Sequence, residues 1–165
     1  LYFFNNYDSK EVLYMMDDVF LTAEINPNVY PFYFKGYLPD VVKNKTTYNN
    51  SLIDTRRYLI SLGKECKHFG VHVPIKYDKE KFLSIDWSNF GNYPNGLSIR
   101  SVYCNILGLE CIYRKDVKIY DINNDRDLRR IIRKSECFSS SDAIINYGLK
   151  EYLAREFPNK SRFEL

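Results

Sequence analysis

Residues 12–21 read VLYMMDDVFL, and two adjacent carboxylates, Asp17 and Asp18, sit between two apolar runs. Ionised side chains are expensive to bury without partners. The run before them, EVLYMM, is rich in β-formers and reads as a buried strand; VFLTAEI after them reads as a second short strand. Successive side chains of a regular strand point to opposite faces. Asp17 and Asp18 can therefore serve one site only if the backbone turns between the runs; otherwise one of them alone makes the contact. Asp18 is expected to be the more direct of the two.

Outward from this stretch, NPNVYP is a loop, and FYFKGYLPD is a strand ending at Gly36 and Pro39. Residues 40–50 form a polar connection. The apolar spacing of SLIDTRRYLISLGKEC predicts a helix over 52–66, capped by Ser51. FGVHVPI is extended, because Pro74 disfavours helix just before it. DKEKFLSI reads as a short helix, and LSIRSVYCNILG as a helix ended by Gly108. DVKIYDI is a strand, NNDRDLRRIIRKSE a helix, and SSSDAIINYGLKEYLAREF a helix capped by Ser140 or Ser141 and stopped by Pro158. The expected architecture is α/β in a single domain, 1–165, strand-rich over 1–50 and helix-rich over 51–165.

With 165 residues, 45% of them hydrophobic, the chain is long enough to build a core. A net charge of +3 permits a phosphate-bearing partner without requiring one. No run reaches the roughly 18 apolar residues of a membrane span, and no signal peptide is visible. The four cysteines, Cys66, Cys104, Cys111 and Cys137, form no CxxC pair, as expected of reduced thiols in a cytoplasmic protein. Cys66, His68 and His72 lack the second close pair that a structural zinc site wants. The chain starts on Leu1 with a strand pattern close behind, so part of a sheet is expected upstream.

Several side chains carry chemistry. A carboxylate pair at a strand end suits a hard divalent cation, Mg²⁺ or Mn²⁺, which offsets the charge of a diphosphate leaving group. His72, held before a proline, suits proton transfer near neutral pH or a hydrogen bond to phosphate. Arg100 interrupts an apolar helix in which Ile99, Val102, Tyr103 and Ile106 are expected to face the core. That places it on a flank or in a cleft, where its planar fork suits pyrophosphate. Arg126, Arg130, Arg133 and Lys134, with Arg129 adjacent, form a basic helix face, either solvated or able to meet a polyanion. Ser139, Ser140, Ser141 and Asp142 are expected at a helix start able to cap the helix or take an anion.

Taken in order, VLYMMDDVFL, FYFKG, GVHVPIKYDKEKF and NGLSIRSVYCN resemble the conserved blocks of the Stealth family of capsular polysaccharide phosphotransferases and GlcNAc-1-phosphotransferases, over residues 12–105. Met16 stands where that family usually has Asn. The ending FPNKSRFE is similar to glycosyltransferase-like proteins of phages and bacteria. The resemblance implies a GT-A-like nucleotide-sugar transferase fold, incomplete at its N-terminus, in a chain that is the C-terminal part of a larger catalytic domain. It implies metal-assisted transfer of a sugar or sugar-1-phosphate from a nucleotide-sugar donor to a hydroxyl acceptor, either a glycan or other polyhydroxyl compound, as in polysaccharide biosynthesis, or a nucleic acid. Asp17 and Asp18 would handle metal and donor, His72 acid/base chemistry or phosphate, and Arg100 phosphate. Two alternatives stand beside it. One is a nucleic-acid-binding or nuclease-like protein using the basic helix; YLPDVVKNK resembles the start of a PD…(D/E)xK pattern but lacks the acid-x-Lys triplet. The other is a non-catalytic subunit or fragment whose Asp pair is structural.

Overall fold

A computed structural model describes residue 4, residues 8–120, 125–141, 144 and 149–159. It is a mixed α/β structure of small sheets and, among the described residues, five α-helices. The chain divides into two compact units. The first holds residues 1–15 and 26–116, and the second holds 16–25 and 117–165. This division cuts across the expected boundary at residue 50.

In the first unit, β1 (Glu11–Tyr14) pairs antiparallel with β4 (Ile75–Asp78), Glu11 opposite Asp78 and Tyr14 opposite Ile75. Strand β3 (Phe32–Phe34) pairs in parallel with β5 (Cys111–Tyr113), a strand absent from the sequence expectation. Helix α1 runs Thr47–Ser61, and Thr46, not Ser51, is its N-cap, accepting from the Asn49 N–H at 3.1 Å. It stops short of residue 66 because Gly63 takes φ +64°, a left-handed conformation open to glycine. Asp78 caps the short helix α2 (Lys79–Leu83). Helix α3 (Ile99–Ile106) ends before Gly108, at φ +60°. The core gathers Phe69, Ile75, Tyr77, Phe82, Val102 and Tyr103, with Trp87 packed against it. The Tyr77 ring meets Tyr103 edge-on at 4.9 Å, and Phe82 stacks on Trp87 at 4.6 Å.

In the second unit, β7 (Cys137–Ser140) is the central strand of three. Strand β2 (Val19–Leu21) pairs with it antiparallel and β6 (Lys118–Ile119) in parallel. Helix α4 (Asp125–Ile132) packs Leu128 and Ile132 into a core with Ile119, Phe138 and Leu149. Helix α5 runs Lys150–Glu156. Ser139 and Ser140 are therefore strand residues, not a helix start, and the expected anion site at Ser139–Ser141 is not formed there; Asp142 lies outside the described residues. The β propensity of CFSS is carried by pairing on both edges of β7, which local pattern alone cannot reveal.

The opening stretch is thus split. Its first strand belongs to one unit and its second to the other, with Asp17 and Asp18 forming the turn between. The Val19 N–H closes that turn on the Met16 carbonyl at 3.2 Å.

Candidate active site

The backbone of segment 66–73 is hydrogen-bonded along both edges. On one side the Cys66 carbonyl accepts from the Leu38 N–H at 2.8 Å. His68 donates to the Gly36 carbonyl at 2.8 Å and accepts from the Lys35 N–H at 3.0 Å. On the other side, side chains of α3 replace a strand. Asn105 accepts from the Lys67 N–H at 3.1 Å and donates to the Lys67 carbonyl at 2.8 Å. Ser101 Oγ accepts from the Phe69 N–H at 3.1 Å. Arg100 Nη1 donates to the carbonyls of Val71 at 2.7 Å and Val73 at 3.0 Å. Odd residues of an extended chain present their backbone groups to one edge and even residues to the other. Lys67, Phe69 and Val71 follow that alternation; the chain then bends at His72–Val73, where the Val73 N–H closes on the Val71 carbonyl at 2.8 Å.

Val102 and Tyr103 face the core as expected, and Ile106 packs against it, but Ile99 does not. Ile99 is 47% exposed, whereas Arg100, Ser101 and Asn105 are buried. The cost of burying polar groups is offset because they satisfy backbone groups that would otherwise be buried unpaired. The Arg100 guanidinium also lies 5.4 Å from the centre of the Tyr14 ring. It does not sit on a surface flank; it holds the carbonyls of Val71 and Val73, the residues on either side of His72.

His72 is the residue that this segment presents. Its backbone N–H donates to Asp116 Oδ1 at 3.0 Å, and its Nδ1 lies 2.8 and 2.9 Å from the two Asp116 oxygens. Lys35 Nζ donates to Asp116 Oδ2 at 2.6 Å. Burial alone would raise the Asp116 carboxyl; the hydrogen bonds from the His72 ring and from Lys35 outweigh it and hold the group well below the ordinary carboxylate range. An ionised carboxylate only accepts, so Nδ1 is the donor in this contact and Nε2 is the ring nitrogen turned away from Asp116. Among the described residues nothing bonds Nε2.

His68 lies in the same electrostatic neighbourhood. It is 8% exposed, and its Nε2 has no hydrogen-bond partner among the described residues. Burial first, then the Lys35 charge, pushes its imidazole down to about 4, so it is neutral at pH 7. Its ring presses on Gly70, where an added Cβ would lie 2.5 Å from Nε2. Glycine is required there by close approach.

Asp17 and Asp18 open the second unit. Asp17 is exposed. Asp18 Oδ2 accepts from Lys118 Nζ and from Ser139 Oγ, both at 2.8 Å. Lys118 already offsets the charge of one carboxylate, and among the described residues no group of three or more His, Cys, Asp or Glu could hold a metal ion. Magnesium commonly takes one or two carboxylates and draws its other ligands from phosphates and water.

The structure therefore brings His72 and Arg100 together through the backbone of Val71–Val73, and joins Asp18 to Lys118 and Ser139. Asp116 and Lys35, which complete the His72 site, were missed in the sequence. Asp116 lies 44 positions from His72, beyond any local pattern; its one signal is a lone acid in the basic run Arg114–Lys118. No family model, curated protein or solved structure matches the chain. Among the described residues no helix is long and apolar enough to cross a membrane.

Proposed function

We propose that the chain is a catalytic part of a transferase that moves a sugar or sugar-1-phosphate from a nucleotide-sugar donor to a hydroxyl acceptor. The observation that carries this is the His72–Asp116 pair, an imidazole fixed in one tautomer by an ionised carboxylate. That arrangement suits a general base. Nε2 takes the acceptor's hydroxyl proton as the oxygen forms its bond. In sugar-phosphate transfer the new bond is to phosphorus, and nucleoside monophosphate leaves with the electron pair of the broken P–O bond. In plain glycosyl transfer the bond is to the anomeric carbon, and nucleoside diphosphate leaves.

Lys35 is the counter-ion of Asp116, and Arg100 positions His72 through its neighbouring carbonyls. The nucleotide-sugar donor and a GT-A-like fold rest on the resemblance of the four sequence blocks to the Stealth family. The same resemblance assigns a Mg²⁺ or Mn²⁺ ion to Asp17 and Asp18 of the second unit, where it would supply Lewis-acid charge stabilisation. A second reading, a nucleic-acid-handling protein, draws on the basic face of α4.

The test is turnover of a panel of nucleotide sugars with Mg²⁺ or Mn²⁺, comparing the wild type with Asp18→Ala and His72→Ala. Both variants are expected to lose at least about a hundredfold in rate, the usual contribution of a positioned base. Full activity in both rejects the site. Release of nucleoside monophosphate identifies phosphosugar transfer, and release of diphosphate identifies glycosyl transfer.

A further inference from the structure

Strand β5 (Cys111–Tyr113) leaves one edge open. The Arg114 N–H donates to the Phe34 carbonyl at 2.9 Å, so Ile112 and Arg114 turn their backbone groups toward β3. Cys111 and Tyr113 turn theirs the other way. Among the described residues no strand lies beyond them, and nothing bonds those outward groups. Native proteins block such edges with a proline, a lysine in the strand or a bulge. CIY carries neither proline nor lysine. Its middle is apolar instead, with Ile112 55% and Tyr113 59% exposed. Charge stands at the flanks, Glu110 before the strand and Arg114 after it, and the signs are opposite. Alternation puts Glu110, Ile112 and Arg114 on one face. In keeping with this, the Arg114 guanidinium lies 4.7 Å from the centre of the Tyr33 ring, and Tyr33 is the register partner of Ile112.

This pattern is its own complement. A second copy of ECIYR, turned antiparallel and centred on Ile112, sets Ile112 against Ile112, Cys111 against Tyr113 and Glu110 against Arg114. Opposite charges facing each other across a strand pair are favourable, and like charges are not. The hydrogen bonds favour the same register. Cys111 and Tyr113 both face outward, so when opposed they exchange N–H···O bonds in both directions. Ile112 then takes the non-hydrogen-bonded position, where opposed Cα atoms lie about 4.5 Å apart and side chains meet most closely. Centring on Cys111 or on Tyr113 also keeps outward groups opposed. Those registers, however, set Ile112 against Glu110 or Arg114 and form no Glu–Arg pair.

We infer that β5 is a homodimerisation edge, and that two copies of the chain join β5 to β5, antiparallel, about a two-fold axis at Ile112. A two-fold interface uses one patch twice, which a self-complementary strand supplies. The surface lies wholly in the first unit and is independent of the proposed transferase chemistry.

The experiment is sedimentation velocity of the full chain over a concentration series. A reversible monomer–dimer equilibrium is expected, half-shifted at roughly 10–100 μM, as suits a small interface. Ile112→Lys brings two cations together at the axis and is expected to weaken the dimer at least about tenfold. Glu110→Arg and Arg114→Glu, each alone, set like charges against each other at both ends of the pair and are expected to be monomeric. Mixed one to one, these two variants regain both Glu–Arg pairs and are expected to dimerise as the wild type does. Trp87 fluorescence checks that each variant is folded. Ile112 and Glu110 are exposed, so their variants test the edge without touching the core. A wild type that stays monomeric, a dimer that Ile112→Lys and Glu110→Arg leave unchanged, or folded charge variants that fail to associate when mixed overturns the inference. Growth into open-ended assemblies also overturns it, because a two-fold pair is closed.

Discussion

Asp116→Asn is the most informative single change. It keeps the shape and one acceptor oxygen but replaces the other oxygen with an amide donor. In the wild type three donors converge on this carboxylate: the His72 N–H at 3.0 Å, His72 Nδ1 at 2.8 Å and Lys35 Nζ at 2.6 Å. The side chains involved are only 14 to 21% exposed, so solvent screens them weakly. A hydrogen bond to a charged group contributes about 1.5–3 kcal/mol, and the amide preserves part of one or two of them. The expected loss is about 3 kcal/mol. With a urea dependence of about 2 kcal/mol per molar, the unfolding midpoint falls by about 1.5 M. Trp87 is the sole tryptophan and packs on the core of the first unit, so its fluorescence reports the relevant transition. The carboxyl is held below its ordinary 3.8, so its contribution is present above that value. It is lost as pH falls further, and the gap between wild type and variant narrows. Imidazole ¹⁵N shifts supply a second readout: His72 is expected as the Nδ1–H tautomer in the wild type and as a mixture in the variant. An unchanged urea midpoint, or an Nε2–H tautomer in the wild type, refutes the geometry on which the proposed base depends.

Two further outcomes follow from neighbouring residues. Arg100→Met leaves the Val71 and Val73 carbonyls without their guanidinium donor, at an expected cost of about 2–4 kcal/mol in the same fluorescence assay, with Arg100→Lys intermediate; equal stability of all three proteins contradicts the ladder. His68 is pushed from 6.5 down to about 4, so the unfolded chain binds its proton first as pH falls, and stability drops by about 3 kcal/mol between those values. His68→Gln is expected to flatten that part of the stability–pH profile, and an identical slope in the variant shows that His68 is not held neutral.

Much of the local structure was legible in the sequence. The β1 run, the DKEKF helix and the glycine stop at Gly108 follow from propensity and capping, which act within a few residues; FGVHVP is extended only up to the bend at His72–Val73. The alternative at the Asp pair was also visible: a regular strand cannot aim both carboxylates one way, so a turn was one of two outcomes. What sequence could not supply was pairing across long separations. Ser139 and Ser140 read as a helix start until β2 and β6 flank them, and CIY becomes a strand only beside Phe32–Phe34.

The sequence by itself offered candidates by residue type: His72 in a pre-proline segment, the Asp17–Asp18 pair, Arg100 in an apolar helix and the cations of α4. The tertiary structure decided what surrounds each of them. It placed Asp116 and Lys35 on His72, turned Arg100 inward onto two carbonyls and gave Asp18 to Lys118 and Ser139. The physical reason is that an ionisable side chain acquires its role from what neutralises it, and those partners lie 27 to 121 positions away along the chain.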